Sequence, residues 1–543
     1  MGYCPKMVKD PQSAVERRRR VRRTPRSRSQ TLPIRVGLVF LAGLAGCSEA
    51  PAPTPFDVTE ASIVELGAAM NEGRVTSEEL VDHYLARIEA YDGRGPALNS
   101  IITLNPHALT SARALDFERN ATGARGPLHG IPIVIKDNYD MAGFPTTNGS
   151  VAMAEVMPPD DGFQLQRLRE AGAVILGKTN LHEFARGITT VSSMGGQTLN
   201  PYDPTRNPGG SSGGTGAAVA ASFAAAGMGS DTCGSIRIPS AHNNLVGLRG
   251  TSGLSSRDGV VPLSYTFDVA GPLARSVTDL ALLLDATVGS DPSDPTTAEA
   301  DANTPDSYLT ALDAEAVQGA KFGVLTMLLR QDIEDEPVAR VIDAAVDNLR
   351  ELGAEVVAVE IEGLAELLDS YVVPSHEFKF GLDAYLAEIP GAPSLAEILA
   401  DGRYHPDVEE RLTRSNAVDT LDTDEYREAL GRRDTVRRRV VGTLDELALD
   451  ALIYPTMRQQ AAVVGRPQGG DNCRLSPHSG LPAITVPAGF TPDDMPVGLE
   501  MLGRPFAESR LLALAYAFEQ ATGHRRPPAS APPLDSTPVE ARP

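Results

Sequence analysis

The sequence predicts an α/β fold in which a central, twisted, mixed β-sheet is covered by helices. Apolar runs of strand length alternate along the chain with stretches whose apolar residues recur at helical spacing. No internal repeat and no break in composition interrupts residues 57–524, so one large domain is expected there. The composition, 42% hydrophobic and 22% charged residues, is that of an ordinary globular protein.

The first half of this domain is predicted to consist of helices followed by buried strands. The expected elements are a helix near residues 58–70, a helix over 77–91 with Thr76 or Ser77 as its N-cap, a buried strand over 131–135, a helix over 164–171, a strand over 174–176 and an apolar, Ala-rich stretch over 217–226.

The second half continues the alternation of strands and helices. The expected elements are strands over 322–326, 355–359 and 449–454 and a helix over 337–352. Residues 376–445 are charged and helical, and we expect them to form a lid or one side of a substrate cleft. Residues 525–543 are rich in proline and are expected to be a disordered tail.

Residues 1–46 are predicted to be a signal peptide of the lipoprotein type. Eleven Lys or Arg and only two acidic residues precede and flank a short apolar stretch over 36–46, which is shorter than the roughly 20 residues that span a bilayer. Residues 44–47 (LAGC) resemble the lipobox of bacterial lipoproteins, which implies cleavage before Cys47 and lipid attachment to Cys47. The alternative is a plain cleaved signal with a chance cysteine.

This interpretation implies an exported protein, held by lipid at the bacterial cell envelope, on the periplasmic or outer surface. Residues 47–56 then serve as a Pro/Ala-rich tether to the domain. The formal net charge is −22 although the first 46 residues are basic, so the body is strongly acidic and a nucleic-acid partner is not expected. His and Cys are scarce and unclustered, and we expect no metal and no cofactor.

A glycine-rich segment over 209–214 (GGSSGG) contains Ser211 and Ser212. Glycine permits backbone conformations closed to other residues and allows a substrate to approach closely. A flexible linker would have the same composition, but this segment follows a Pro-rich stretch over 200–208 and precedes an apolar helix. The segment also fits the G-x-S-x-G elbow of α/β-hydrolases, but it lacks the preceding strand and no downstream His stands in a persuasive motif.

Ser235 follows a turn of small residues, and its hydroxyl is a candidate nucleophile. The backbone N–H groups of such a turn suit an oxyanion hole, because they are fixed donors aimed at developing negative charge. The expected donors are Thr232, Cys233 and Gly234. Upstream, Lys136 directly follows an apolar strand, where partial desolvation would lower the pKa of its amine and allow it to act as a base.

Together these three segments resemble the amidase signature family, most closely the bacterial peptide amidases, over about residues 58–520. The resemblance implies a Ser-Ser-Lys triad of Ser235 as nucleophile, Ser211 as proton relay with a cis peptide bond, and Lys136 as base. It also implies supporting roles for Ser212, Asp231, Arg237 and Asp268. The expected reaction is hydrolysis of carboxamide C–N bonds through a covalent acyl-enzyme, releasing ammonia or an amine.

The chain departs from this family at Cys233, where glycine is usual. Cys233 could be a small buried residue that narrows the acyl pocket, or it could form a disulfide with Cys473, since the late segment after Cys473 runs near the active site in the family. A nucleophilic role for Cys233 is a third interpretation, but the family places the nucleophile two residues later.

The substrate is expected to be a small-molecule or peptide amide. Residues 191–202 look like the peptide-amidase side of the family and favour peptide C-terminal amides or small acyl amides. The alternatives are hydrolysis of aryl or fatty acyl amides or esters, the amidase component of a tRNA-dependent amidotransferase, and a non-catalytic surface lipoprotein that uses the fold for binding.

Overall fold

The computed structural model describes residues 56–534, and an 11-stranded mixed β-sheet runs through them. The strands are β1 (Ile101–Leu104), β2 (Pro132–Lys136), β3 (Val174–Thr179), β4 (Val191–Ser192), β5 (Gly196–Gln197), β6 (Ala226–Asp231), β7 (Val246–Arg249), β8 (Val269–Ala274), β9 (Lys321–Leu325), β10 (Glu355–Val359), β11 (Ala451–Pro455), β12 (Ala483–Phe490) and β13 (Pro496–Leu502). Their order is β1-β3-β2-β6-β8-β7-β12-β13-β11-β9-β10, and β4 and β5 form a separate pair.

Parallel pairs join β2 to β3 and β6, and β9 to β10 and β11, whereas the centre of the sheet is antiparallel. Helices pack against this sheet. They are α1 (Ile63–Asn71), α2 (Ser77–Arg87), α3 (Ala108–Thr122), α4 (Phe163–Glu170), α5 (Gly213–Ala220), α6 (Arg237–His242), α7 (Val277–Thr287), α8 (Ala300–Asn303), α9 (Glu336–Glu351), α10 (Leu364–Leu368), α11 (Val372–Ala387), α12 (Leu395–Asp401), α13 (Pro406–Asn416), α14 (Asp424–Glu446), α15 (Leu475–Ser479) and α16 (Glu508–Thr522). The prediction of one α/β domain with a mixed sheet is confirmed.

Local sequence explains where several elements begin and how they are buried. Thr76 caps α2 through a capping box with Glu79, which decides between the two predicted caps. β2 is buried along its whole length, as its uninterrupted apolar run predicts for a strand with parallel neighbours on both sides. α5 contains only Gly, Ala, Thr and Val, and these small side chains let it pack closely against β2, β6 and α6.

Helices α11 to α14 occupy the charged region that the sequence marks as helical. α11, α12 and α13 share an apolar cluster with the segments after β2 and after β7, built around Phe378, Leu382 and Leu412. Only one stripe of each helix is buried there, so their charged residues face away from the cluster. Within residues 56–534, no helix is both long and apolar enough to cross a membrane.

The C-terminal boundary of the domain differs from the prediction. Residues 525–534 lie on the domain surface and are tied to it, because Arg525 forms an ion pair with Glu60 at 2.7 Å and Ser530 donates a hydrogen bond to the carbonyl of Pro201. Pro-rich composition misled here, since side-chain and carbonyl contacts hold the segment without regular structure. Residues 535–543, the signal over 1–46 and most of the tether lie outside the described residues; Phe56 is described and packs beside Arg74.

Candidate active site

Lys136 ends β2 with its side chain fully buried. Its Nζ donates hydrogen bonds to Ser211 Oγ at 2.7 Å and to Ser230 Oγ at 2.8 Å. Burial lowers the pKa of Lys136 to about 7, although the negative charges of Asp231 and Asp268 oppose the shift. A large share of this amine is therefore neutral near pH 7, which is the state that a general base needs.

Ser211 lies in the loop between the β4–β5 pair and α5, and the peptide bond between Gly210 and Ser211 is cis, as the resemblance implies. Neighbouring glycines are required by close backbone contacts. A Cβ at Gly214 would lie 2.3 Å from the carbonyl oxygen of Asn180, and one at Gly213 would lie 2.2 Å from a side-chain oxygen. The glycine-rich segment is thus a tightly packed turn and not a flexible linker.

Ser235 lies in the turn between β6 and α6. The carboxylate of Asp231 accepts hydrogen bonds from the backbone N–H groups of Gly234 at 2.7 Å and Ile236 at 3.2 Å, which fixes the turn. Gly234 is therefore engaged, in contrast to the expectation that it donates to an oxyanion. The backbone donors of this turn without an acceptor among the described residues are those of Thr232, Cys233 and Ser235.

Ser212 links the two serine turns. Its N–H donates to the carbonyl of Ser235 at 3.2 Å, and its hydroxyl donates to the carbonyl of Ser230 at 3.2 Å. Among the described residues, no hydrogen bond joins the hydroxyls of Ser211 and Ser235. Catalytic hydrogen bonds of this kind often shorten only in the substrate complex.

A buried ion network supports the turn from below. Asp231 lies 3.0 Å from Arg237 and 3.2 Å from Arg249, and Arg237 also forms an ion pair with Glu500. Burial alone would raise the pKa of Asp231, but the two guanidinium groups hold it well below its usual range. Asp231 therefore keeps its charge and its hold on the turn, which is the supporting role proposed for it and for Arg237.

Cys233 and Cys473 are bonded to each other, with an S–S distance of 2.03 Å and a Cα–Cα distance of 5.0 Å. The bond joins the turn before Ser235 to the segment just before α15 across 240 residues of sequence. In this state Cys233 has no thiol, so it offers no nucleophile of its own. Both cysteines line the same cavity as Ser235.

This cavity has a volume of about 990 Å³ and opens to solvent above Ser235. One wall comes from the segment between β3 and β4, a second from residues 405–411 at the start of α13, and a third from residues 464–474. Residues 405–411 belong to the predicted charged helical region, which thus forms a side of the cleft. The cavity is large enough for a peptide or a drug-sized molecule.

Two groups at the site were not predicted from the sequence. Ser230 Oγ contacts Lys136 and also accepts a hydrogen bond from Asn138 at 2.9 Å. The alternation along β6 could have indicated Ser230, because it precedes the Ser235 turn on a strand paired with the end of β2. Arg186, which lines the cavity, has no sequence signal beyond its charge.

Comparisons with known proteins match this geometry. A family profile described as Amidase matches residues 79–512. This chain belongs to the amidase signature family. A glutamyl-tRNA(Gln) amidotransferase subunit of Moorella thermoacetica is 39% identical over 484 residues, covering 86% of this chain and 97% of the relative. The prediction of an enzyme that acts on amide C–N bonds is therefore confirmed, and a purely non-catalytic role is set aside.

Two solved structures show the same fold. Native peptide amidase from Stenotrophomonas maltophilia matches this amidase with a TM-score of 0.78 at 38% identity, covering 86% of this chain and 98% of that one. A glutamyl-tRNA(Gln) amidotransferase subunit from Thermotoga maritima matches with a TM-score of 0.70 at 28% identity, covering 88% and 99%.

The predicted location at the cell envelope is wrong. The curated relatives of this amidase are named as subunits of an amidotransferase that acts on glutamyl-tRNA, and that name contradicts an exported, lipid-anchored protein. The prediction rested on the basic and apolar pattern over residues 1–46 and on Cys47, which lie outside the described residues. Such a pattern is short and frequent enough to occur without an export function.

Proposed function

We propose that this amidase hydrolyses the carboxamide bond of peptide C-terminal amides or small acyl amides through a covalent acyl-enzyme on Ser235. The observation that carries the proposal is the buried hydrogen bond of 2.7 Å between Lys136 Nζ and Ser211 Oγ, beside a cavity that Ser235 lines. A neutral, desolvated lysine bonded to a hydroxyl is a base in reach of a proton relay.

The reaction begins with substrate bound above Ser235. Ser235 Oγ attacks the amide carbonyl carbon while its proton passes to Ser211 Oγ, and the proton of Ser211 passes to Lys136 Nζ. The carbonyl oxygen becomes an oxyanion, for which the N–H groups of Thr232, Cys233 and Ser235 are the available donors. Lys136 then carries the positive charge that balances the tetrahedral intermediate.

Collapse of this intermediate breaks the C–N bond. The proton returns from Lys136 through Ser211 to the leaving nitrogen, and ammonia or an amine departs. A water molecule then attacks the ester carbonyl of acylated Ser235, with the same relay accepting its proton. Release of the carboxylic acid restores Ser235, and no redox step or external reductant is needed.

The likeness to peptide amidase supports the peptide-amide class, together with the open cavity of about 990 Å³. Aryl and fatty acyl amides or esters are the alternative substrates for the same mechanism. A second candidate function, the amide-hydrolysing component of a tRNA amidotransferase, is favoured by the names of the curated relatives. The closer match to peptide amidase than to the Thermotoga protein favours the first.

The test is ammonia release by the full chain from a panel of peptide amides, short acyl amides, aryl amides and glutamine, beside Ser235→Ala. Release from peptide or short acyl amides that Ser235→Ala abolishes is the expected result. Ser290→Ala is the control, because Ser290 is exposed and its hydroxyl contacts only Asp301. Release from glutamine alone would favour the amidotransferase role, and activity that survives in Ser235→Ala would disprove the assigned nucleophile.

A further inference from the structure

Arg186 is the one buried arginine of the described residues whose guanidinium has no acceptor. Five arginines there are buried, and four of them donate to a carboxylate or to backbone carbonyl oxygens: Arg87, Arg237, Arg249 and Arg275. Arg186 is 7% exposed, and its Nη1 is buried without a hydrogen-bond partner. An unpaired buried cation costs free energy, so a fold keeps one where an anion binds.

The surroundings of Arg186 hold it in place without neutralising it. Phe378 lies against its guanidinium, with Cζ 4.3 Å from the ring centroid, which orients the group by a cation–π contact. Burial, together with the neighbouring charges of Arg411 and Arg414, lowers the pKa of Arg186 to about 10 in spite of Tyr371. The group is still protonated near pH 7 and is surrounded by like charge.

The cavity that Arg186 lines is basic in a protein whose formal net charge is −22. Four arginines and two aspartates line it, and neither Asp407 nor Asp471 forms an ion pair with Arg186. His182 lies beside it with Nε2 buried and without a partner. Burial and the charge of Arg411 lower the pKa of His182 to about 3, so this ring adds a neutral polar group to the site.

We propose that Arg186 binds a carboxylate carried by the acyl part of the substrate, so that the enzyme prefers amides of acidic acyl groups or of peptides with an acidic residue near the amide. This rests on the proposed function, because the cavity of Arg186 is the one that Ser235 lines. The acyl side follows from the chemistry: when a primary amide is cut, the leaving group is ammonia and carries no anion. A planar guanidinium with free N–H groups matches a carboxylate in shape and charge.

The experiment compares matched pairs of substrates that differ in one negative charge. Each pair is an N-acetyl amide with a free acidic side chain and its side-chain methyl ester, made for aspartyl amide, glutamyl amide and glutamyl-leucyl amide. Ammonia release gives the ratio of kcat/KM for acid over ester. We expect at least one pair to reach a ratio of about tenfold or more in the native enzyme, since hydrogen bonds to charged groups contribute that much.

Arg186→Met should bring that ratio to about one, and Arg186→Lys should retain part of it, because lysine keeps the charge but not the two-pronged geometry. Arg340→Met is the control, since Arg340 is an exposed residue of α9 that pairs only with Glu336 and should leave the ratio unchanged. A purely structural role of Arg186 would lower both rates and preserve the ratio. A native ratio below about threefold in every pair, or a ratio that survives in Arg186→Met, would overturn the proposal.

Binding without turnover separates this proposal from the proposed function. Calorimetry on Ser235→Ala measures the affinity for the acid and the ester of each pair, and adding Arg186→Met should remove the preference for the acid. If the native enzyme releases no ammonia while Ser235→Ala still prefers the acids, the proposed reaction fails and the carboxylate site stands. If ammonia is released equally from acid and ester, the reaction stands and the site fails.

Discussion

The protonation state of Lys136 controls the reaction. The base must be neutral when Ser235 attacks, and burial in the apolar end of β2 supplies that state near pH 7 instead of near pH 10. Asp231 and Asp268 lie close enough to oppose the shift, so the strand and the ion network act in opposite directions on one amine. The value of about 7 is the balance of these two effects.

The first prediction concerns the pH dependence of kcat/KM for an uncharged amide. Because the pKa of Lys136 is lowered to about 7, its neutral fraction grows as the pH rises through that value. We expect kcat/KM to rise about tenfold per pH unit below 7 and to level off above it. Lys136→Arg should be inactive at every pH, since arginine stays protonated. A flat profile between about pH 5.5 and 8.5 would contradict the role of Lys136 as base.

The second prediction concerns Ser230, which the sequence did not indicate. Ser230→Ala removes the hydroxyl that receives a hydrogen bond from Lys136 at 2.8 Å and leaves the amine less firmly oriented. We expect kcat to fall about tenfold with KM changed little, because the contact involves the base and not the substrate. Ser222→Ala is the matched control, as Ser222 is buried but its hydroxyl contacts Glu60. A change in KM alone would show that Ser230 acts on binding.

Two helices show how glycine can be required in one place and dispensable in another. α5 packs so closely that a Cβ at Gly214 would lie 2.3 Å from the backbone oxygen of Asn180, whereas a Cβ at Gly442 in α14 would meet no atom within 4 Å. Neither side of the Gly214 contact is a flexible side chain that could move away. The same substitution should therefore have opposite effects in the two helices.

The third prediction compares these glycines by thermal unfolding. Gly214→Ala should destabilise the protein by about 3 kcal/mol or more and abolish activity, because overpacking moves the turn that carries Ser211. Gly442→Ala should stabilise it by roughly 0.5–1 kcal/mol, because alanine is the better helix former. A mild effect of Gly214→Ala would show that α5 can shift without harm to the site.

The sequence predicted the elements that obey simple rules. β2, β3 and α2 follow from an apolar run, a helix feeding a strand and a capping box. Lys136, Ser211 and Ser235 could be named from a family resemblance, but Ser230 and Arg186 could not, since their roles depend on contacts between segments far apart in sequence. The engagement of the Gly234 N–H by Asp231 depends on side-chain geometry that spacing does not encode.

The whole domain is closed by its two ends. Arg525 contacts Glu60 near the first helix and the carbonyl oxygens of Ala220 and Asn244, so the C-terminal segment covers the end of α5. Buried Arg87 also donates to Ala531 and Pro532. Composition predicted disorder for this segment because it counts prolines and cannot count the acceptors that distant arginines need.

The fourth prediction follows from this closure. A chain that stops after residue 524 loses the Arg525 ion pair and leaves donors of Arg87 without acceptors. We expect its Tm to fall by at least several degrees, since buried charged donors left unpaired cost about 3 kcal/mol or more. A chain that stops after residue 534 keeps every one of these contacts and is the control. Equal Tm values for the two would mean that the segment contributes nothing to stability.

The disulfide between Cys233 and Cys473 also gives the enzyme an order of assembly in time. During synthesis Cys233 leaves the ribosome 240 residues ahead of its partner. At ordinary translation speeds this gap lasts on the order of tens of seconds. Throughout that interval the three residues of the proposed relay are already made, but the turn that holds the nucleophile is unsealed. A nascent chain therefore carries its reactive groups well before it can become the finished catalyst.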